Sequence, residues 1–459
     1  MSKIIFNPDL IRRYDRSGPR YTSYPTAVQF DENFSQTDYK NYALRSNSGV
    51  PPLSLYFHLP FCATVCFYCA CNKIVTKNRK KTAPYLNDLF REIALQAALV
   101  DPKRTVTQLH WGGGTPTFLS HAEMRMLMAE TRRYFRLVDD DSGEYSIEID
   151  PREANTATVE LLRELGFNRL SLGVQDFDPI VQKAVNRIQS VAETQEVIQA
   201  GRAAGFHSIS IDLMYGLPLQ NTTRFAQTLE QVIAMSPDRL SIFNYAHLPD
   251  MFKVQRQINE DDLPSSEMKL AILQLCVQRL TDAGYVYIGM DHFAKPTDEL
   301  ARAQEKGSLY RNFQGYSTQA ECDLIAMGIT AISKIGNSYS QNVRQLDEYS
   351  EKLDADQFAV FRGVALNNDD ILRRHVISQL MCHFKLDIRK IEIHFNIKFD
   401  EYFSTEQTDL KQLEKDGLIH YGDNTIEVTP AGKFLIRNVC MVFDKYLRGS
   451  EIKRFSKVI

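Results

Sequence analysis

The sequence predicts an α/β fold, a barrel of parallel strands and helices followed by a smaller, mainly helical domain. Three observations predict it. The chain has 459 residues, enough for about three domains or for one large barrel plus a smaller unit. Six apolar, β-rich runs alternate with segments of helical period between Leu53 and His247. Four cysteines crowd into ten residues behind the first run, and β/α barrels build their active sites at the carboxyl ends of their strands.

The six runs are "LSLYFHLP" (Leu53 to Pro60), "VTQLHWGG" (Val106 to Gly113), "YSIEID" (Tyr145 to Asp150), "RLSLGVQ" (Arg169 to Gln175), "SISIDLMYG" (Ser208 to Gly216) and "RLSIFNYAH" (Arg239 to His247). Helix-period segments such as "APYLNDLFREIALQAAL" and "AEMRMLMAETRRYF" lie between them. Six strand–helix repeats call for a parallel sheet with right-handed crossovers. A seventh run, "YVYIGMDHF", is expected as an edge strand. From about Asn367 the pattern turns helical and then reads "LEKDGLIHYGDNTIEVTPAGKFLIRNV". That order of short helix, glycine, two strands and second helix resembles a winged-helix module. Its acidic and basic residues are interleaved, so packing or substrate covering is expected of it in place of DNA binding. The expected division is an N-terminal extension (1–50), a barrel (51–300), a segment completing the active site (301–366) and a C-terminal domain (367–459).

The composition is 44% hydrophobic and 24% charged, ordinary for a globular protein with a sizeable core. A formal net charge of -3 leaves no electrostatic footprint for nucleic acid. No run of about 18 apolar residues suggests a membrane span. The opening "MSKIIFNPDLIRRYDRSG" mixes charges where a signal peptide would be apolar. A cytoplasmic location is therefore expected. Thiols stay reduced there, so clustered cysteines read as metal or redox ligands. The basic run Lys77 to Lys81 reads as a solvated helix entrance.

Cys62, Cys66, Cys69 and Cys71 are spaced C-x3-C-x2-C-x-C. Structural zinc sites use two short pairs separated by a longer loop, and no second pair follows. Bacterial ferredoxins place a proline after the last cysteine of C-x2-C-x2-C-x3-C; Asn72 stands here. A compact loop can wrap three thiolates around one cubane, whereas Cys71 is too close to Cys69 for both to reach separate corners without strain. Three ligands leave one iron open to a substrate or cofactor. A small zinc loop is the alternative. Cys276, Cys322, Cys382 and Cys440 lie in apolar, helix-like contexts and read as buried small hydrophobes.

Polar residues gather at the strand ends. "HWGGGTPT" places Gly112, Gly113 and Gly114 where a backbone can approach a ligand closely; a tight turn into a helix capped by Thr115 or Thr117 is the alternative. Glu148 and Asp150 end the third run, and a carboxylate there can hold ribose hydroxyls. A helix cap is the alternative, better suited to Asp150. Gln175 and Asp176 end the fourth run, Asp212 lies in the fifth, and Arg187 follows the fourth. Such a layout suits a large polar ligand.

C-x3-C-x2-C, with the aromatic Tyr68 before Cys69, resembles the signature of the radical S-adenosylmethionine superfamily. In that superfamily the open iron chelates the amino and carboxylate groups of the methionine half. The reduced cluster gives an electron to the sulfonium, and a carbon radical at C5′ results. Over almost its whole length the chain resembles the oxygen-independent coproporphyrinogen III oxidase family. The carrying motifs are "SGPRYTSYPT", "CATVCFYCAC", "HWGGGTPT", "IEIDPRE", "NRLSLGVQDF", "IDLMYGLP", "PDRLSIFNYAHLP", "YIGMDHFA" and "NFQGYST".

The resemblance implies an incomplete (β/α)6 TIM-like barrel with an N-terminal extension and a helical C-terminal domain. It implies one 4Fe–4S cluster on Cys62, Cys66 and Cys69, with Cys71 outside the ligand set, and two S-adenosylmethionine molecules. Tyr56, Gly112, Glu148 and Ile332 would surround the first, with Tyr56 and Glu148 catalytic. Tyr68, Gly113, Gly114, Gln175, Arg187, Asp212 and Ala246 would surround the second. The implied reaction converts the ring A and B propionates of coproporphyrinogen III to vinyl groups without oxygen. It needs an electron donor and an acceptor that the sequence does not identify. No nucleic-acid or membrane partner is expected, and the chain is expected to be a monomer. Arg20 is the candidate contact for an anionic propionate; a surface anchor for the N-terminal arm is its alternative. Two other functions remain: a haem-delivery or haem-ring-opening relative, which the fourth cysteine and "RYTSYPT" argue against, and a non-enzymatic iron–sulfur or zinc protein.

Overall fold

The computed structural model describes residues 4–320 and 322–448. The chain forms two compact units, each discontinuous in sequence. One takes the described residues of Gln29–Lys269 and Glu321–Ala365; the other takes those of Met1–Val28, Leu270–Ala320 and Leu366–Ile459.

The first unit is built on parallel strands β1 (Leu53–Leu59), β2 (Thr105–Gly113), β3 (Glu144–Ile149), β4 (Arg169–Gln175), β5 (Ser208–Tyr215) and β6 (Arg239–Asn244). They lie side by side in chain order and all pair in parallel. Helices join successive strands, among them Thr82–Ala97, His121–Tyr134, Thr156–Glu164, Val191–Ala203 and Thr222–Met235. The starts of these helices are set locally. Ser120 with Glu123, and Ser190 with Glu193, close reciprocal hydrogen bonds that satisfy first-turn N–H groups.

One face of these strands is apolar, with Leu53, Leu55, Phe57, Leu109, Trp111, Ile147, Leu172, Ile211 and Ile242 buried under the helices; the residues that alternate with them on the other face are polar, among them Tyr56, His110, Ser146, Glu148, Ser171 and Asp212. Past β1 the sheet continues through β7 (Asp323–Met327), parallel to β1, and then the antiparallel β8 (Ile332–Ile335), β9 (Ser338–Asn342) and β10 (Val360–Ala365). These four strands are an addition to the six that the sequence pattern announces. The run Lys77 to Lys81 is exposed and leads into the helix Thr82–Ala97.

In the second unit "YVYIGMDHF" is two strands, Val286–Gly289 and His292–Ala294, paired antiparallel. Where one strand is expected the run forms two, and Val286–Gly289 ends the sheet order as an edge strand; Gly289 (φ 144) and Met290 (φ 54) turn the chain back between them. A second hairpin pairs Tyr310–Asn312 with Gly315–Ser317. Ile288, Ala294, Leu300, Leu309, Tyr316 and Cys382 form a buried cluster of this unit. The C-terminal part carries helices Asn368–His383, Ile388–Phe395 and Gln407–Lys415 with strands Lys385–Asp387, Ile419–Tyr421 and Thr425–Val428 in one antiparallel sheet. Cys276, Cys322, Cys382 and Cys440 are all buried.

Candidate active site

The cysteine loop leaves β1 and is pinned at both ends. Phe61–Cys62 pairs in parallel with Ile74–Val75, and Thr76 N–H donates to the Cys62 carbonyl at 2.9 Å. Within the loop Cys69 N–H donates to the Cys66 carbonyl (3.2 Å), and Phe67 N–H donates to the Val185 carbonyl (3.0 Å). Phe67 and Tyr68 pack on Val181, Val185, Leu217, Tyr245 and Ile258. Gln255 Nε2 donates to the carbonyls of Tyr68 (3.0 Å) and Ala246 (3.3 Å), which ties the end of β6 to the loop.

Cys66 is buried, Cys62 and Cys69 are half-buried, and Cys71 is exposed. Burial pushes the Cys62 thiol up to about 11, against a hydrogen bond from Thr115 Oγ1 at 3.5 Å. Cys69 is brought down to about 6, first by the Cys71 thiol that donates to it; burial opposes this and Lys73 adds to it. The same hydrogen bond raises the Cys71 thiol well above its ordinary value. Two guanidiniums address Cys66: Arg187 Nη1 lies 3.6 Å and Arg152 Nη2 3.8 Å from its sulfur. Asp150 holds both, at 3.0 and 2.6 Å. It also caps the turn Pro151–Glu153 by accepting from Arg152 N–H, so it is a cap and a charge partner together. Burial disfavours charge on Arg187, but Tyr68, Asp150 and Cys66 outweigh it and keep the guanidinium protonated.

The glycine turn packs against this loop. Gly114 N–H donates to the Leu59 carbonyl (2.9 Å) and Thr115 N–H to the Phe61 carbonyl (2.7 Å). A Cβ on Gly114 would stand 2.6 Å from the Pro60 carbonyl carbon. Gly113 has φ +113, and its Cβ would meet the His58 ring at 2.6 Å. The alternative of a threonine-capped helix is set aside: Thr115 makes no cap bond and points to Cys62, and Ser120 caps the helix that follows.

Strand register builds the next layer. Tyr56 is opposite His110, and His58 is opposite Gly112. Tyr56 stacks on His110 with centroids 5.7 Å apart, and its hydroxyl lies 3.2 Å from His58 Nδ1. Gly112 lies against the Glu148 carboxyl. Glu148 accepts from Gly113 N–H (2.9 Å) and faces His110 Nε2 (3.4 Å). Burial works against its charge, yet these donors win and its pKa falls below the usual value. Its side chain is still 44% open, so the carboxylate is reachable. Asp212 accepts from Ser171 Oγ at 3.1 Å, and burial pushes it up to about 6. Gln175 (φ 70) has a buried Oε1 without a hydrogen-bond partner, as have Arg187 Nε and Asn244 Oδ1. Buried polar atoms left unpaired at the ends of adjacent strands are what a polar ligand would satisfy.

The structure thus brings together Tyr56, Gly112, Gly113 and Glu148, and joins Gln175 through Gly173 to Arg187, Asp150 and Cys66. Ile332 opens β8, two strands from β1. Arg20 belongs to the second unit, where it pairs with Asp291 at 2.8 Å. Sequence reasoning passed over His58, His110 and Arg152. Single histidines in apolar strands read as core, although their i, i+2 spacing from Tyr56 and Gly112 puts them on one strand face.

Three thiols on one anchored loop, one of them beside two cations, fit an iron–sulfur cluster, whose ligands are thiolates. Among the described residues no three His, Cys, Asp or Glu side chains converge on a single-ion position. Parallel β/α strands carrying such a loop at their carboxyl ends define a radical S-adenosylmethionine protein, and residues 56–232 match the radical SAM superfamily model. Residues 366–435 match the HemN C-terminal domain. The oxygen-independent coproporphyrinogen III oxidase of Pseudomonas aeruginosa is 54% identical over 459 residues, 100% of both chains. That of Escherichia coli K12 is 49% identical over 451 residues, 98% of both. The solved coproporphyrinogen III oxidase (HemN) of Escherichia coli, a radical SAM enzyme, superposes with TM-score 0.92 at 47% identity, covering 97% of this chain and 100% of that one. The chain belongs to the oxygen-independent coproporphyrinogen III oxidase family.

Proposed function

We propose that the chain decarboxylates the ring A and B propionates of coproporphyrinogen III to vinyl groups, giving protoporphyrinogen IX without oxygen. The observation that carries this reading is the anchored three-cysteine loop beside Glu148, Gln175 and Arg187, within a chain that shares the family's full length. Cys62, Cys66 and Cys69 would hold the 4Fe–4S cluster. When bound, the reduced cluster supplies the electron that splits S-adenosylmethionine and so provides a radical able to take a hydrogen atom.

The protein's own groups bind and orient. Glu148 stays ionised and accepts from ligand donors. Asp212, with a pKa near 6, suits a ribose hydroxyl, and Gln175 Oε1 and Arg187 Nε offer an acceptor and a donor. Two S-adenosylmethionine molecules are proposed, the first beside Tyr56, Gly112, Glu148 and Ile332, the second beside Tyr68, Gly113, Gly114, Gln175, Arg187, Asp212 and Ala246. At each propionate a hydrogen atom leaves the carbon next to the pyrrole. The bond to the carboxylate then breaks, carbon dioxide departs, one electron passes to an acceptor, and a vinyl group remains. A separate donor reduces the cluster. No helix among the described residues is long and apolar enough to cross a membrane; a monomer working in the cytoplasm is proposed.

Anaerobic reconstitution followed by mass analysis of product from coproporphyrinogen III tests the reading. Loss of two carbon dioxide molecules with two vinyl groups gained is expected. Unchanged substrate in the presence of S-adenosylmethionine and reductant would overturn it.

A further inference from the structure

The second unit holds an unpaired buried cation. Arg311, on the strand Tyr310–Asn312, is 8% exposed. Among the described residues its Nε and Nη1 have no hydrogen-bond partner. Its guanidinium stands 4.7 Å over the ring of Tyr316, its cross-strand neighbour. Tyr316 meets the edge of His292 at 5.1 Å, and the preceding residue, Asp291, pairs with Arg20 at 2.8 Å. Arg437 is 3% exposed and donates to the carbonyls of Gly18 and Pro19, the two residues before Arg20. Three guanidiniums therefore share one neighbourhood with the Asp291 carboxylate. Burial first, then the Arg20 charge and more weakly that of Arg311, draw Arg437 down to about 10, against Asp291 and Tyr21.

A buried guanidinium without acceptors is costly to the ligand-free fold. Its planar array of N–H donors fits a carboxylate better than any neutral group. The two buried donors of Arg311, beside two further guanidiniums, call for an anion with several acceptor atoms. We infer that Arg311, with Arg20 and Arg437, forms a seat for a carboxylate, and that its occupant is a propionate side chain of the tetrapyrrole. The inference rests on the function proposed above. It also changes the meaning of Arg20: its present partner is Asp291, and a propionate would compete with that carboxylate.

The test uses the full-length reconstituted protein with two probes, coproporphyrin III and its tetramethyl ester, read by fluorescence titration, together with thermal melting. Arg311→Met should weaken coproporphyrin III binding about 10- to 100-fold, the worth of charge-assisted hydrogen bonds. S-adenosylmethionine binding should stay unchanged. The variant should melt no lower than the parent, since it loses an unpaired buried charge. The ester should bind parent and variant equally. Asp291→Asn, which removes the carboxylate that competes for Arg20, should tighten coproporphyrin III binding.

Unchanged porphyrin affinity in both variants overturns the seat. A lower melting temperature with parental affinity would make Arg311 a structural prop for Tyr316 and overturn it too. If the Arg311 variant does not fold, Asp291→Asn decides alone. Parent protein that converts coproporphyrinogen III while both variants keep its KM defeats this inference alone. Parent protein that does not convert it defeats the proposed function.

Discussion

The Arg187 guanidinium stands 3.6 Å from the sulfur of Cys66. Arg152 approaches the same sulfur at 3.8 Å, and Asp150 steers both arginines. Hydrogen bonds and positive charge at a ligand sulfur favour the reduced, more negative state of an iron–sulfur cluster. Arg152→Met should therefore lower the midpoint potential by about 60 mV, because a one-electron couple moves about that much per tenfold change in equilibrium. Iron content should not change. A redox titration followed by electron paramagnetic resonance reads both; an unmoved potential would leave Arg152 as the partner of Asp150 and nothing more.

Cys71 is exposed, and its thiol hydrogen-bonds to Cys69. Lys73 Nζ bonds the carbonyls of Cys69 and Cys71 at 3.2 and 3.4 Å, which holds this end of the loop through the backbone. Cys71→Ser should keep the cluster, seen in iron content and visible absorption. Cys62→Ser, Cys66→Ser and Cys69→Ser should each lose it. A Cys71 variant without iron, beside one of the other three that retains it, would reverse the assignment.

Gly113 joins two constraints, a φ of +113 and a Cβ position 2.6 Å from His58. Gly113→Val would carry about 1–3 kcal/mol of backbone strain before any clash. His58 has to move, and the N–H that Glu148 accepts moves with the turn. Weaker S-adenosylmethionine binding with an intact cluster is expected in calorimetric titration. Parental affinity would show that the turn adapts without disturbing Glu148.

Much of the first unit is legible in the sequence because each strand is a short apolar run with its own punctuation. Arg169–Gln175 matches its run at both ends. What the pattern hides is non-local. Ser338–Asn342 reads "SYSQN", a polar loop by composition, yet every residue is buried, because β8 and β10 supply partners on both sides. The break inside "YVYIGMDHF" depends on positive φ at Met290, which no side-chain pattern announces. At the site, the glycines and strand-end carboxylates stand out as residue types. His58, His110 and Arg152 emerge only once register sets them beside Gly113, Glu148 and Cys66.

Asp212 provides a pH test. It accepts from Ser171, but burial lifts its pKa from 3.8 to about 6, with Glu148 adding to the rise and Ser241 and Ser171 opposing it. A carboxyl whose folded pKa lies above its unfolded value binds its proton more tightly in the fold. Its ionisation therefore costs the folded state nothing below pH 3.8, an increasing amount as pH rises, and its full penalty above about 6. Asp212→Asn removes that penalty. The variant should be more stable than the parent by about 1–3 kcal/mol near pH 7.5, with the advantage fading towards about pH 4. Urea denaturation at the two pH values measures this without any ligand. The same substitution should weaken S-adenosylmethionine binding, because a carboxylate kept at an energetic disadvantage is released from it by a hydroxyl donor on the ligand. Equal stability of parent and variant at both pH values would mean that water already solvates Asp212 fully, and its candidacy as a ligand-binding group would lose its physical basis.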